Sequence, residues 1–93
     1  MVVGVLRLDI RLPEAHSLKE KRWLLKSLVS RIQNRFNVSI SEIENQDTWQ
    51  LATLAVAHVG SDRTHTNRLL DQVLNFAERV RQLEVIDSQI ELI

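Results

Sequence analysis

The chain has no cysteine among its 93 residues. That excludes a disulfide framework, a thiolate metal site and a cysteine nucleophile, so stability must come from packing, in keeping with a reducing cytoplasm. With two glycines and one proline, there is little material for a glycine-rich phosphate loop or a nucleophile elbow. Long apolar runs are missing as well: nothing approaches the ~18 consecutive apolar residues of a membrane span. Met1 to Leu12 alternates and carries Arg7, Asp9 and Arg11, which is unlike a signal peptide. The expectation is a cytoplasmic protein with no membrane partner. Hydrophobic residues make up 44%, which suits one domain spanning 1–93, since a chain of this size buries roughly 60–65% of its unfolded surface.

Net charge is also lacking, yet the zero hides an asymmetry. Residues 1–36 hold eight Lys/Arg against Asp9, Glu14 and Glu20, a net of +5, while residues 37–93 hold four against nine Asp/Glu, a net of −5. A chain that neutralises many phosphates carries a large overall basic excess, so high-affinity nonspecific nucleic-acid binding is disfavoured and no DNA partner is expected. A local basic face remains open.

What is present is hydropathic rhythm. Leu6, Leu8, Ile10 and Leu12 alternate with Arg7, Asp9 and Arg11, the two-residue period of a half-buried strand that Pro13 stops. Ser17 with Glu20 forms a capping box, and Leu18, Leu25, Val29, Ile32 and Phe36, widened by Leu24 and Leu28, make one apolar stripe, predicting a helix over roughly 17–36. Alternation returns at 37–41 with Ile43 out of phase, which predicts a bulge or a fraying end. Glu44 to Asp47 is turn chemistry. Trp49 to Val59 is apolar on both parities and predicts a central strand with both faces covered. Which parity meets the helices stays open. Asp62 caps a second amphipathic helix, roughly 62–81, and Glu84 to Ile93 closes as a strand with Ile86, Ile90 and Leu92 in phase. Two right-handed crossovers then give an α+β, ferredoxin-like βαββαβ fold, a four-stranded antiparallel sheet with both helices on one face.

The blocks His16-Ser17-Leu18-Lys19-Glu20-Lys21-Arg22, Leu25-Lys26-Ser27-Leu28, Arg35-Phe36-Asn37-Val38-Ser39 and Asp47-Thr48-Trp49-Gln50, in this order, resemble the YlxP-like family of small bacterial proteins. The family is of unknown function and the resemblance covers essentially the whole chain. It implies a ferredoxin-like fold and a cytoplasmic bacterial protein. In some bacteria such genes lie among those for transcription antitermination, translation initiation and ribosome maturation factors, which points toward RNA or the ribosome. One departure is Gln50-Leu51-Ala52, where family members often carry a basic residue after the Trp-Gln pair.

On a helical wheel Lys19, Trp23, Lys26 and Ser30 share the outward side of the first helix, while Lys21 and Arg22 flank the buried stripe. An outward tryptophan beside lysines can stack on a base or fill a partner's pocket; the blander account lays its ring over the lysine stems. Ser17, Lys19, Lys21 and Arg22 at the helix N-terminus can hold an anion such as a phosphate, or Lys21 and Arg22 can pair internally with Glu42, Glu44 or Asp47. The candidate contact set for RNA or a ribosomal component is thus Ser17, Lys19, Lys21, Arg22, Trp23 and Lys26. His16, His58 and His65 fall at opposite edges and predict no metal site, only polar surface histidines. Ser61, His58 and Asp62 have the residue types of a triad without its oxyanion turn. RRM-type stacking needs aromatics on the central strands, which offer only Trp49 at an end. No catalytic residue and no cofactor is expected. On the uncovered sheet face, Val3, Val5, Arg7, Asp9 and Arg11 form the candidate interface of a homodimer. A protein-interaction or small-ligand regulatory module is the alternative to RNA binding.

Overall fold

The computed structural model describes residues 1–93 and orders them as β1 (Val2–Arg11), α1 (Leu18–Arg35), β2 (Ser39–Glu44), β3 (Leu51–Gly60), α2 (Arg63–Glu78) and β4 (Glu84–Leu92). The strands form one antiparallel sheet in the order β2-β3-β1-β4. Both helices cover the same face, as the ferredoxin-like expectation requires. Alternation in β1 decides the layering: Leu6, Leu8 and Ile10 are fully buried under the helices, and their odd-numbered neighbours look the other way.

Register along β3 settles the open parity. Ala52, Leu54, Val56 and His58 pair with the buried residues of β1 and face the helices, whereas Leu51, Thr53, Ala55, Ala57 and Val59 lie on the far side. The expectation that both faces of β3 are covered is corrected here, because no second layer exists. Ala55 and Ala57 are apolar yet only partly shielded, by longer side chains such as Arg7 and Ile43 beside them.

Local chemistry sets the element boundaries. Ser17 Oγ accepts the Glu20 backbone N–H at 3.1 Å, and the Glu20 carboxylate accepts the N–H of His16 at 2.9 Å, one residue before the position a capping box ordinarily uses. Asp62 caps α2 by accepting from the His65 N–H at 2.9 Å. This helix ends earlier than the periodicity predicts. Its last turn tightens, with Arg79 N–H bonding to the Phe76 carbonyl and Val80 N–H to that of Ala77, so Val80 is buried from a turn and not from the helix. Gly4 seats α2 on the sheet: a β-carbon there would lie 2.6 Å from Thr66 Cγ2 and 2.7 Å from Leu70 Cδ1.

Two bulges re-aim edge residues. In β2 the register slips between Glu42 and Glu44, leaving Ile43 exposed on the open face, as its phase suggested. In β4 the slip opposite Asp9 and Ile10 turns Ile86 out, so Val85, and not Ile86 as expected, packs with Ile90 against the core.

One core position is charged. The buried stripe of α1 is Lys21, Leu25, Leu28 and Ile32, with Lys21 1% exposed. Its ammonium lies 2.8 Å from Glu42 Oε2 and donates to the carbonyl of Asn45, a residue at φ 64° in the β2–β3 turn. Isolating a buried charge costs more than replacing the pair by apolar groups. Glu42→Ala therefore lowers unfolding stability by about 3 kcal/mol, and the double variant Lys21→Met/Glu42→Leu recovers most of that loss. Urea denaturation of the three proteins checks both values.

Candidate functional site

Burial removes Lys21 from the candidate surface, because its ammonium faces inward to Glu42 and Asn45. The anion site at the start of α1 is corrected with it. Ser17 Oγ is engaged in the cap and the first turn holds its own carboxylate, Glu20, which answers the partial positive charge of the helix end. Asp47 makes no ion pair, and Glu44 pairs across the sheet with Arg7 at 2.9 Å.

Lys19, Arg22, Trp23 and Lys26 remain outside, all exposed, with Trp23 71% exposed. None of these cations lies within ion-pair distance of a carboxylate. The whole molecule follows the same division. Of twelve Lys/Arg, Arg7 pairs with Asp9 and Glu44, Arg11 with Glu84, and Lys21 with Glu42. The other nine, unpaired, all belong to α1, α2 or the turn after α2, whereas six of the acids, Asp9, Glu42, Glu44, Glu84, Asp87 and Glu91, stand on the sheet.

Between the helices the structure assembles a feature that sequence reasoning missed. Arg31 and Arg35 from α1 and Arg79 from the end of α2 line an open cleft of about 550 Å³ together with Gln72, Asn75 and Phe76. The Arg31 and Arg35 guanidinium carbons stand 5.4 and 5.2 Å from the Phe76 ring centre, and Phe36 meets that ring edge-on at 6.3 Å. Arg31 and Val80 are shared with a narrower crevice that runs on to Trp23. The missed signal was the four-residue spacing of Arg31 and Arg35, one turn apart on one side of α1. Only the antiparallel packing of α2 brings Arg79 to them.

On the open face, Val3 and Val5 sit beside Val59 and Ala57. Arg7, Asp9 and Arg11 are satisfied within the chain: Thr53 Oγ1 donates to Asp9 Oδ1 at 2.7 Å and accepts from Asn45 Nδ2 at 3.0 Å, which continues the polar chain from Lys21 around the sheet edge. A reciprocal pairing of the Arg7/Asp9/Arg11 ladder with a symmetry mate would add to these internal contacts.

The remaining sequence candidates do not converge. His58 is not a surface histidine but 7% exposed, with Nδ1 2.9 Å from the Asn37 carbonyl oxygen and its ring 6.0 Å from that of His65. Asp62 is spent as a helix cap, so Ser61, His58 and Asp62 form no relay. No group of three or more His, Asp or Glu side chains is arranged to hold a metal. No helix is long and apolar enough to cross a membrane.

The designed protein described as "De novo designed protein Foldit4" superposes with a TM-score of 0.50 over 98% of this chain and 93% of its own, at 15% identity, which is a likeness of fold alone. "Uncharacterized protein YlxP" of Bacillus subtilis (strain 168) is 43% identical over 83 residues, 89% of this chain and 90% of that one. The family model described as "Protein of unknown function (DUF503)" matches residues 3–90, and the chain therefore belongs to that family.

Proposed function

We propose that the protein is a non-enzymatic, cytoplasmic module that binds RNA, free or in a ribosomal particle, through its helical layer. The observation that carries this reading is the division of charge between layers: every cation without a carboxylate partner is on the helical side. Unpaired surface cations around an exposed tryptophan offer phosphates a place to release their counterions and a base a surface to stack on. The sheet side, with its acids, repels the same polymer. Zero net charge then limits binding to one orientation and keeps nonspecific affinity low.

Titration with a structured, loop-bearing RNA at about 50 and 200 mM salt tests this. Engagement of some four phosphates predicts roughly a fifty-fold loss of affinity between the two conditions. The double variant Lys19→Ala/Lys26→Ala binds more weakly and with a shallower salt slope. No binding by the intact protein discards the reading, as does affinity unchanged both in that variant and in Arg35→Ala/Arg79→Ala.

A second reading concerns the other face. Four of the exposed large apolar side chains, Ile43, Leu51, Val59 and Ile86, stand on the uncovered side of the sheet, alongside half-buried Val3 and Val5. A second copy laid sheet to sheet would cover them, with the basic layers facing outward at both ends. Sedimentation at high micromolar concentration is expected to give a dimer, and Val59→Glu with Ile43→Glu a monomer of unchanged fold. A monomeric intact protein sinks the dimer.

A further inference from the structure

Three arginines line one cleft, two of them over its phenyl ring, and no carboxylate of the chain pairs with any of them. Their charge is answered in part locally. Arg35 lies in the last turn of α1 and Arg79 caps α2, where the partial negative charge of a helix end favours a cation, and the face of Phe76 attracts Arg31 and Arg35. Those terms leave the N–H donors free of other protein groups and open to solvent. Each guanidinium has five N–H donors, and none of the three side chains donates to any protein acceptor. The Phe76 face attracts Arg31 and Arg35 where they line the cleft, and Gln72 and Asn75 of α2 add neutral amide donors to the same lining. Guanidiniums beside neutral donors are the chemistry of phosphate recognition.

The shape of the site distinguishes a strand from a small anion. The cleft does not stop at Arg31 but continues along the α1–α2 seam to Trp23. From Trp23 to Arg35 is about 18 Å at 1.5 Å rise per residue, room for about four nucleotides and the small end of the range for single-strand binders. A base inside a duplex is covered on both faces, so stacking within the groove on Trp23 calls for an unpaired base. A duplex, being convex and stiff, would reach the outward lysines but not a recess between two helices.

Resting on the RNA reading above, we infer that the α1–α2 groove is the seat of a single-stranded RNA segment, with Arg31, Arg35 and Arg79 taking successive phosphates and Trp23 stacking an unpaired base.

The test uses the full chain carrying Trp49→Phe, which leaves Trp23 as the sole indole. Probes are an oligouridylate of about ten nucleotides, a blunt RNA duplex of the same length, and inorganic pyrophosphate. Oligouridylate is expected to quench Trp23 and to bind more tightly than the duplex. Arg35→Ala/Arg79→Ala flattens the slope of log affinity on log salt by about 1.4 for the two lost contacts. Trp23→Ala, read by anisotropy of labelled RNA, weakens binding roughly tenfold. Arg35→Gln/Arg79→Gln keeps the aliphatic stems and gives the same flattening if the alanine variant is poorly folded. Preference for the duplex overturns the inference, as does pyrophosphate competing as strongly as the oligonucleotide, which would make the occupant a small phosphorylated compound. Full affinity in both arginine variants with loss in Lys19→Ala/Lys26→Ala overturns the groove while sparing the surface reading. No RNA binding at all by the intact chain overturns both.

Discussion

An ammonium group inside a folded chain must be answered by a carboxylate and by further acceptors, or it will not stay there. Lys21 is answered twice, by Glu42 on the edge strand and by the carbonyl of Asn45 in the turn that follows. This tether joins the first turn of α1 to the β2–β3 hairpin. It also fixes the roll of the helix: with Lys21, Leu25, Leu28 and Ile32 inward, Trp23 and Lys26 must face solvent at ~100° per residue. The outer surface of α1 is therefore set by the apolar stripe together with the inward charge at its start. Asn45 adopts a left-handed backbone that asparagine tolerates better than most residues, and it hands the constraint on to Thr53 and Asp9 beyond the edge of the sheet.

The two layers differ in how they treat charge. On the sheet, cations and anions stand close enough to cancel: Arg7 lies between Asp9 and Glu44, and Arg11 beside Glu84. On the helices they do not, and the +5 of the first 36 residues is gathered mainly on α1. Such a molecule has a strong charge dipole and no net charge. Long-range attraction to a polyanion is weak while orientation at short range is strong.

Much of the architecture was legible in the chain because period and punctuation agree. Alternation in β1, the caps at Ser17 and Asp62 and the displaced phase of Ile43 all correspond to what the structure contains. Val85 was missed in favour of Ile86 because the bulge is set by pairing with β1 and not by β4 itself. The pairing of Lys21 with Glu42 was one of the two readings the sequence left open, but its complete burial was not legible, because a lysine at the rim of an apolar stripe is usually outside and only the tertiary approach of Glu42 and Asn45 makes an inward position tenable. Only half of the arginine cleft had a signal in the sequence. Arg31 and Arg35 stand one turn apart, but Arg79 lies on the other helix far along the chain, and its convergence with them depends on how far α2 slides along α1, a distance that no local pattern encodes.

The order β2-β3-β1-β4 places the strand made first in the interior of the sheet and the strand made last at one border. Backbone bonds between Val3 and Ile93 fasten the two ends of the fold together. On the ribosome, β1 must therefore wait with one hydrogen-bonding edge bare until β4 has cleared the exit tunnel. During that interval the nascent chain is vulnerable to pairing with a stranger, and the alternating Arg7, Asp9 and Arg11 keep its waiting ribbon hydrated.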